Sequence, residues 1–579
     1  MAIRVSKITY GLILDMLFLQ TLDYTNRIDE STSNKSVYLG FVALPGLTGR
    51  LRLNGLSTRP SRGFAECSQP ASNSTRLSMQ RRDFLSTLPT VAGMMMVGLR
   101  YANAAATSKS ILEYGAKPDG RTLNSKPIQR AIDAVAQSGG GTVNVPAGNF
   151  LTGLIELKSG VTLNLAEGST LLGSTSMDDY KSDSPAFAHG GPNPRHLIFA
   201  MDAENVTISG AGRIDGQGQS FWEPSGTPPL PEDQQWNAVA SHDLTPKKGG
   251  RVSPLIQFVN CHRLTVQDVY IQNSPGWTLH AINCDGVDIH GVSIKNPVNG
   301  PNTDGLDITG CQNVNIDNCT IDTGDDAIVL KSVNPFGPEP RLVKNISVTN
   351  CHLSTCCNGF KIGTETEGGF ENITFSDSVV YNNDVPYKER VIAAIALEVV
   401  DGGWIDGVVV KNIQVQRART PIFIRLGNRK QVHDYPQHGL RNVNIDNLQA
   451  TGALLASSIT GLHGMEVHGV TLSHISLEDV MQGRPEWASR VVPEKDTGYP
   501  EARMFGMLPA SALYVRHVRD LNLNDVTFKA TPGESRPAVI FDDVVGARLS
   551  RVESSPISGG MPVLLQSNSH DVKVLKPAN

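Results

Sequence analysis

The sequence predicts an all-β protein: a right-handed single-stranded parallel β-helix, or solenoid, with a capping helix at its N-terminal end. Two observations support this fold class. Charged residues make up only 18% of the 579 residues while glycines number 55, which favours tight turns and strands over long surface helices. A short motif, an Asn or Asp turn followed by alternating apolar residues, recurs from residue 205 to residue 525. Strand-and-turn repeats without helices are typical of such solenoids.

The first element of the fold is the capping helix. A short strand and a Gly/Asp turn precede Ile128, Ala131, Ile132 and Val135, which are spaced as on one face of a helix. Asn124 or Ser125 is placed to cap this helix, Pro127 suits its first turn, and the glycines at 139–141 end it. We expect the helix to cover the end of the strand stack, whose first coil would otherwise expose unpaired backbone groups.

The repeats that follow set the length of one coil. Copies of the motif include NVTISG at 205, RLTVQD at 263, GVDIHG at 286, NVNIDN at 313 and NISVTN at 345, at intervals in the twenties and low thirties. Turns of two or three residues leave no room for helical crossovers, which argues against a doubly wound sheet. Asn suits the coil corners because it tolerates left-handed backbone conformations. Residues one coil apart should therefore be neighbours, about 4.8 Å apart.

Four segments interrupt the rhythm: 223–250, 334–341, 426–439 and 481–510. The last is rich in Pro and charged residues and is too long for a corner. Long loops on a rigid framework commonly form the walls of a binding site. These loops are expected to border a groove along the helix, and loops 223–250 and 481–510 are candidates to close one end of it.

The N-terminal region predicts export. The stretch MQRRDFLSTLPTVAGMMMVGLRYANAAA begins at Met79 with the pair Arg81 and Arg82, continues with a short apolar run and ends in small residues. It looks like a twin-arginine signal peptide over residues 79–104. Residues 1–78 are then expected not to belong to the real protein, with Met79 as its start. The mature chain should be periplasmic or extracellular, monomeric and without stable membrane insertion.

Composition excludes some partners. The net charge is −5 and no Lys/Arg block is long enough to follow phosphates, so nucleic acid is not expected as a partner. The cysteines form no CxxC pair and no His lies at metal-ligand spacing, so neither a zinc site nor a cofactor is expected. Most cysteines, including the pair Cys356 and Cys357, are predicted to pack as small apolar residues.

Three aspartates are the candidate catalytic residues. Asp325 and Asp326 stand together in TIDTGDDAIVLKS, and Asp304 lies 22 residues earlier in GPNTDGLDITG. Aligning the inward-facing Leu306 with Ile328 places Asp304 directly beneath Asp326, so three carboxyl groups should meet on one exposed patch. Stacked like charges destabilise a β ladder, which indicates a functional cluster. Inverting glycoside hydrolysis uses such an acid and base pair, and a calcium site is the rival explanation.

These residues resemble the polygalacturonase-like family of glycoside hydrolases, family 28. Two acidic motifs of the family are matched in order and spacing by NTD at 302–304 and DTGDD at 322–326. The N-terminal cap of the wider superfamily resembles YGAKPDG with its following helix, and another family segment resembles GRIDGQGQSFW at 212–222. The resemblance covers roughly residues 110–575 and implies one β-helix hydrolase domain over 108–575. It further implies metal-free inversion, with Asp325 as general acid and with Asp304 and Asp326 holding and deprotonating water. Crowding by the other carboxylates would keep Asp325 protonated.

The third and fourth motifs of the family are altered. Asn358 in CCNGFKIGTE stands where the family has His, and AIALEVV leaves Ala396 and Glu398 where it has an Arg and a Lys that contact the substrate carboxylate. An acidic Glu398 would repel a galacturonate there. The predicted substrate-binding residues are Asn302, His280, Asn358, Lys361 and Arg425; Lys361 or Arg425 could replace the missing charge, and His280 could line a subsite.

We therefore expect an exported inverting hydrolase of a plant-type pectic cell-wall polysaccharide or its oligosaccharides. Two alternatives stay open at this level. A polysaccharide lyase on the same fold would need calcium and a basic residue to abstract a proton. A catalytically silent carbohydrate-binding solenoid would fit the loss of the His and of the basic pair, although the three retained acids argue against it.

Overall fold

The computed structural model describes residues 107–181, 195–337, 339–432, 438–555 and 563–575. The predictions for residues 1–78 and for the signal peptide at 79–104 lie outside these ranges. In the described part of the chain, no helix combines the length and the apolar character that crossing a membrane requires.

The predicted helix is the only α-helix of the described ranges and spans Ser125–Gln137. Its buried residues are Ile128, Ala131, Ile132 and Val135, the four that the spacing predicted. Asn124 occupies the N-cap position, but its side chain does not cap the helix. Instead it accepts a hydrogen bond from the Lys117 amide at 2.7 Å and donates to the Lys117, Thr122 and Leu151 carbonyls. Asn124 thus ties the helix to the first coils of the stack.

The strands form a parallel β-helix, which confirms the predicted fold class. Successive strands pair in parallel with the strand one coil later, giving three ladders that we call first, second and third. The strands of the first ladder are Ile155–Glu156, Ile198–Met201, Ile256–Val259, Leu279–Ile282, Leu306–Thr309, Ile328–Ser332, Asn358–Thr366, Ala393–Val399, Thr420–Leu426, Ser457–Thr460, the start of Leu513–Lys529, Val539–Val545 and Leu564–Ser567.

The other two ladders complete each coil. The second ladder contains Thr107–Ser110, Gly141–Val145, Val161–Leu165, Glu204–Ser209, His262–Gln267, Asp285–His290, Gln312–Asp317, Val343–Thr349, Gly369–Tyr381, Trp404–Gln416, Gly439–Ala453, Val467–Asp479, Leu513–Lys529, Arg548–Ser554 and Lys573–Leu575. The third ladder contains Gly148–Thr152, Ser169–Gly173, Arg213–Asp215, Tyr270–Gln272, Ser293–Lys295, Thr320–Thr323 and His352–Thr355, and continues in the distal halves of the long strands.

Asparagine residues hold the corners, as the repeats predicted. Asn313, Asn345 and Asn372 all adopt left-handed backbone conformations, with φ near +55°. Their side chains form a ladder of their own: Asn345 Nδ2 donates to Asn313 Oδ1 at 2.9 Å, and Asn372 Nδ2 donates to Asn345 Oδ1 at 2.8 Å. Each amide supplies one donor and one acceptor, so the stack satisfies its polar groups coil by coil.

The core is a column of apolar side chains inside the helix. In the first ladder Leu306, Ile328, Phe360, Ile395 and Ile422 occupy equivalent positions in successive coils, and all are fully buried. Burying one such side chain is worth roughly 1.5–3 kcal/mol. This continuous stack fixes which residues of each strand point inward, and hence which point outward towards the site.

The loops that interrupt the repeats contain short structured elements. Strand Trp222–Pro224 pairs antiparallel with Leu244–Pro246. Short 3-10 helices occur at Ile111–Tyr114, Met177–Tyr180, Gly218–Phe221, Glu232–Asn237, Ala240–His242, Tyr387–Glu389 and Pro485–Trp487. Loops 223–250 and 481–510 both lie over the outer face of the first ladder, where Ala240 and Phe505 belong to one apolar cluster with Phe423 of that ladder.

Candidate active site

Asp304 and Asp326 stand at equivalent positions just before two neighbouring strands of the first ladder. Leu306 pairs with Ile328, so the predicted register is confirmed. The Gly305 amide donates to the Asp326 carbonyl at 2.9 Å. A Cβ atom at Gly305 would lie 2.4 Å from the Ala327 carbonyl oxygen, so the close approach of the two coils requires glycine between the acid and the strand.

Asp325 is held by the turn that precedes Asp326. Thr323 and Thr355 both donate a hydroxyl hydrogen bond to the Asp325 carbonyl, at 2.6 and 2.5 Å. The carboxylate oxygen Oδ1 accepts from the Asp326 amide at 2.9 Å, and Asn302 Nδ2 lies 3.4 Å from Oδ2. These contacts hold the doubled aspartate and keep the Asp325 carboxyl group, the most accessible of the three, facing outward.

The cluster is less exposed than the sequence indicated. Asp304 and Asp326 are only 4% and 5% exposed, while Asp325 is partly exposed. The prediction of an exposed patch was therefore wrong for two of the three acids, because neighbouring coils and loops cover them. Burial changes the chemistry, since a desolvated carboxyl group resists ionisation.

Two of the three carboxyl groups have raised pKa values. Burial, reinforced by the charges of Asp325 and Asp307, raises the pKa of Asp304 well above its ordinary value. Burial and the neighbouring Asp326 likewise raise the pKa of Asp325. Oδ1 of Asp304 accepts no hydrogen bond from any described residue. Both carboxyl groups therefore bind a proton more readily than an ordinary aspartate does.

Asp326 is instead paired with a lysine and with the amide donors of Asn358. Its Oδ2 lies 3.0 Å from Lys361 Nζ, and its Oδ1 accepts from Asn358 Nδ2 at 2.7 Å and from the Asn358 amide at 3.2 Å. Burial alone would lower the pKa of Lys361, but the charges of Asp326 and Glu398 raise it well above its ordinary value. Two predicted substrate-binding residues, Asn358 and Lys361, therefore contact a predicted catalytic acid directly.

Glu398 shares the same lysine. Lys361 pairs in register with Ala396, and its Nζ lies 3.9 Å from Glu398 Oε2. Glu398 is fully buried and accepts no hydrogen bond within the described ranges. Burial, only partly offset by Lys361, raises the pKa of Glu398 to about 8. The positive charge near the altered fourth motif is thus that of Lys361 on the preceding coil. Its ammonium group is already engaged by the carboxyl groups of Asp326 and Glu398.

A second lysine is enclosed in a similar way. Lys331 Nζ lies 2.9 Å from Asp307 Oδ1 and 3.7 Å from Glu365 Oε2. Its ammonium group also stands 3.6 Å from the centroid of the Trp277 ring. Burial, opposed by Lys331, raises the pKa of Asp307 to about 6. One face of the Trp277 ring is thus occupied by a cation of the protein itself.

His280 and Arg425 are not brought into the acid cluster. Nδ1 of His280 contacts Gln257 Nε2 at 3.1 Å and Nε2 contacts Thr309 Oγ1 at 3.0 Å. Burial and the charge of Lys331 lower the pKa of His280 to about 3, so the ring is neutral and both nitrogens have protein partners. Arg425 is 1% exposed and donates to the Gly461, Glu494 and Lys495 carbonyls. Its contacts are those of a loop anchor.

Arg251 is a site residue that sequence reasoning missed. Its guanidinium donates to Asn302 Oδ1 at 3.0 Å and to the Pro301 carbonyl. Burial lowers the pKa of Arg251, and the charges of Asp304 and Asp325 oppose that shift. Arg251 therefore orients Asn302 and adds positive charge beside both acids. It lies immediately after loop 223–250, where no repeat indicates a position. Asp307 and Lys331 could have been found, because both occupy outward positions of predicted strands.

Within the described ranges, two groups of side chains bring possible metal-ligand atoms together. Ligand atoms of Asp325, Asp326 and Cys357 lie within 4.8 Å of one another, as do those of His463, His517 and Asp543. In the first group Asp326 is already paired with Lys361, which competes with a cation. The seven cysteines of the described ranges are free thiols, and six are buried, in agreement with their predicted packing role.

A parallel β-helix that stacks carboxyl groups on neighbouring coils defines a candidate glycoside hydrolase. The model of glycosyl hydrolases family 28 matches residues 136–496, well over half of the chain. The protein belongs to this family and is a polygalacturonase-like glycoside hydrolase.

Individual relatives agree with this assignment. A probable polygalacturonase of Vitis vinifera is 25% identical over 407 residues, which cover 66% of this chain and 77% of the relative. An exo-poly-alpha-D-galacturonosidase of Dickeya chrysanthemi is 30% identical over 352 residues, 55% of this chain and 56% of that protein. The structure of an exopolygalacturonase from Thermotoga maritima superimposes with a TM-score of 0.54 at 24% identity, covering 73% of this chain and 91% of the other. This last likeness supports the fold.

Proposed function

We propose that the protein hydrolyses glycosidic bonds in a pectic polysaccharide or its oligosaccharides with inversion of the anomeric configuration. The observation that carries this proposal is the contrast within the acid cluster. Burial raises the pKa values of Asp304 and Asp325, whereas Asp326 forms an ion pair with Lys361 and accepts a hydrogen bond from Asn358. An acid beside a base in one site is what single-displacement hydrolysis requires.

In this mechanism Asp325 donates its proton to the glycosidic oxygen as the bond from that oxygen to the anomeric carbon breaks. Water attacks the anomeric carbon from the opposite face, held by Asp304 and Asp326, and passes a proton to Asp326. The products are an inverted hemiacetal and the released alcohol, and exchange with solvent returns the proton to Asp325. The accessibility of Asp325 supports its role as acid, and the ion pair to Lys361 supports Asp326 as base.

The proposal of a pectic substrate is based on the named activities of the relatives. The Vitis vinifera and Dickeya chrysanthemi proteins are named for polygalacturonase and galacturonosidase activity, and this chain carries their family's acidic motifs. The altered third and fourth motifs change which groups contact the sugar, but the three acids that act on the bond are retained.

The test is product analysis with a matched variant. The wild-type enzyme is incubated with pectin, rhamnogalacturonan and neutral glycans, and the anomer that forms first is read by NMR before it equilibrates. We expect an inverted product from a pectic substrate, no unsaturated sugar absorbing in the ultraviolet, and no loss of activity with a chelator. Asp325→Asn should abolish turnover while retaining glycan binding. A retained anomer, or full activity of the variant, would contradict the mechanism.

We also propose that the protein is exported through the twin-arginine pathway to the periplasm or the extracellular space. The residues that support this are Arg81, Arg82 and the small residues at 102–104. Replacing both arginines with lysine should leave the protein inside the cell. Unchanged export of that variant would refute the route.

A further inference from the structure

Loops 223–250 and 481–510 meet over the first ladder, beyond the acid cluster. The Arg503 guanidinium donates to the Asn237 carbonyl and pairs with Glu501. Beneath this contact, Val239 and Ala240 of the first loop and Val492, Phe505 and Leu508 of the second pack with Ala396, Phe423 and Tyr514 of the ladder. The outer face of the ladder is therefore covered on the far side of Lys361.

The two loops line an open cavity of about 560 Å³, within the range of roughly 300–1,000 Å³ that is usual for small-ligand sites. Its charged lining residues are Arg490, Lys495, Arg503 and Glu501. Arg503 and Glu501 neutralise each other, whereas Lys495 forms no ion pair with any residue of the described ranges. The cavity thus presents an excess of positive charge.

Aromatic residues complete the cavity and connect it to the acids. Tyr499 and Trp236 both line it. Tyr499 is 59% exposed, its hydroxyl lies 3.3 Å from Thr364 Oγ1, and its ring centroid lies 5.9 Å from Lys361 Nζ. An exposed aromatic ring that lines the same cavity as Lys495 and Arg490 is suited to a sugar that carries a carboxylate, because the ring packs against the sugar face while the cation binds the acid group.

The backbone that carries Lys495 is fixed from below by two buried arginines. Arg516 donates to the Val492 and Pro493 carbonyls at 2.7 and 2.9 Å, and Arg425 donates to the Glu494 and Lys495 carbonyls at 2.9 and 3.0 Å. Four consecutive carbonyls are therefore engaged by guanidinium groups that are 3% and 1% exposed. Burying two arginines is costly, and the result is a loop held in one position, which is what a preorganised binding wall needs.

We propose that this cavity is a subsite for a uronic acid residue, with Lys495 and Arg490 binding the sugar carboxylate and Tyr499 packing against its ring. The inference rests on the proposed function, because the cavity adjoins the acids assigned to hydrolysis. It supplies, from an inserted loop, the carboxylate recognition that the altered fourth motif lacks. Lys361 and Lys331 cannot supply it, because each is engaged by two carboxyl groups.

The experiment uses full-length protein carrying Asp325→Asn, which separates binding from turnover. Calorimetry measures the dissociation constants of trigalacturonate and of its methyl ester, which has the same linkages and no charge. Lys495→Gln should weaken trigalacturonate binding about tenfold, the loss of one charge-assisted hydrogen bond, and leave ester binding unchanged. Lys411→Gln, an exposed lysine on the second ladder strand Trp404–Gln416, is the matched control and should change neither.

Equal binding of acid and ester, no measurable binding of either, or an unchanged trigalacturonate constant in Lys495→Gln overturns the subsite. Thermal melting checks that the Lys495→Gln protein is folded, as expected for an exposed position. Failure of the proposed function has a different signature: the wild-type enzyme hydrolyses no pectic substrate although Asp325→Asn still binds trigalacturonate through Lys495. In the converse case, the wild-type enzyme hydrolyses pectic substrates while Lys495→Gln leaves the KM for the acid unchanged. That result refutes the subsite, and the proposed hydrolase function stands.

Discussion

Replacing Lys361 with methionine should shift the pH dependence of the enzyme. The ammonium group lies 3.0 Å from Asp326 and both side chains are almost fully buried. At an effective dielectric constant near 20, a pair of charges at that distance is worth about 5 kcal/mol. Because the two donors of Asn358 remain, we expect the net electrostatic stabilisation that Asp326 loses to be smaller than this figure.

The sign of the effect follows from the proposed role of Asp326 as base. Removing the neighbouring positive charge makes the base easier to protonate, so the acidic limb of the profile of kcat/KM against pH should move upward, by about one to three pH units. The assay is initial-rate hydrolysis of a pectic oligosaccharide from pH 4 to pH 9 at constant ionic strength. Breaking a buried ion pair also costs about 3–5 kcal/mol of stability, so urea unfolding of both proteins accompanies the kinetics.

Lys361→Arg is the matched variant, because it retains the charge and should keep the wild-type acidic limb even if its activity is lower. A uniform fall in rate for Lys361→Met with an unmoved acidic limb would refute the reasoning. That result would mean that Lys361 does not act through the ionisation of Asp326.

Three further outcomes are expected. The stability of Glu398→Gln should rise relative to that of the wild type as the pH increases. The buried Glu398 carboxyl group has a pKa of about 8 against an ordinary 4.5. Its contribution to the stability of the wild type is therefore complete below pH 4.5 and is lost as the pH approaches 8. The gain is up to about 5 kcal/mol, and identical urea midpoint shifts at pH 5 and pH 8 would contradict it. Asn124→Ala should lose about 2–4 kcal/mol in urea unfolding, because the side chain is fully buried and holds Lys117 and Leu151; a loss below 1 kcal/mol would show that these hydrogen bonds are easily replaced. The covered ladder face beyond Lys361 predicts attack at chain ends, with small products and slow loss of viscosity. Rapid loss of viscosity with long products would disprove it.

The sequence determined the repeating part of the molecule. In a solenoid, neighbours in space are residues one coil apart, so the 22 residues between Asp304 and Asp326 were enough to predict their stacking. Short-range sequence patterns likewise predicted the left-handed corners of Asn313 and Asn345 and the buried face of the capping helix. Apolar periodicity and turn chemistry act over a few residues, which is why they can be seen without a structure.

The tertiary structure decided what surrounds the acids. Lys361 and Arg425 both looked like free cations in the sequence, yet one is bound to Asp326 and the other to backbone carbonyls of loop 481–510. Arg503 meets Asn237, 266 residues away in the chain. No period relates such residues, because the conformation of an inserted loop depends on the surface on which it packs. The stacking of the acids followed from coil length alone, whereas their burial, their ion pairing and the cavity beside them depended on how the side chains and loops pack over the helix.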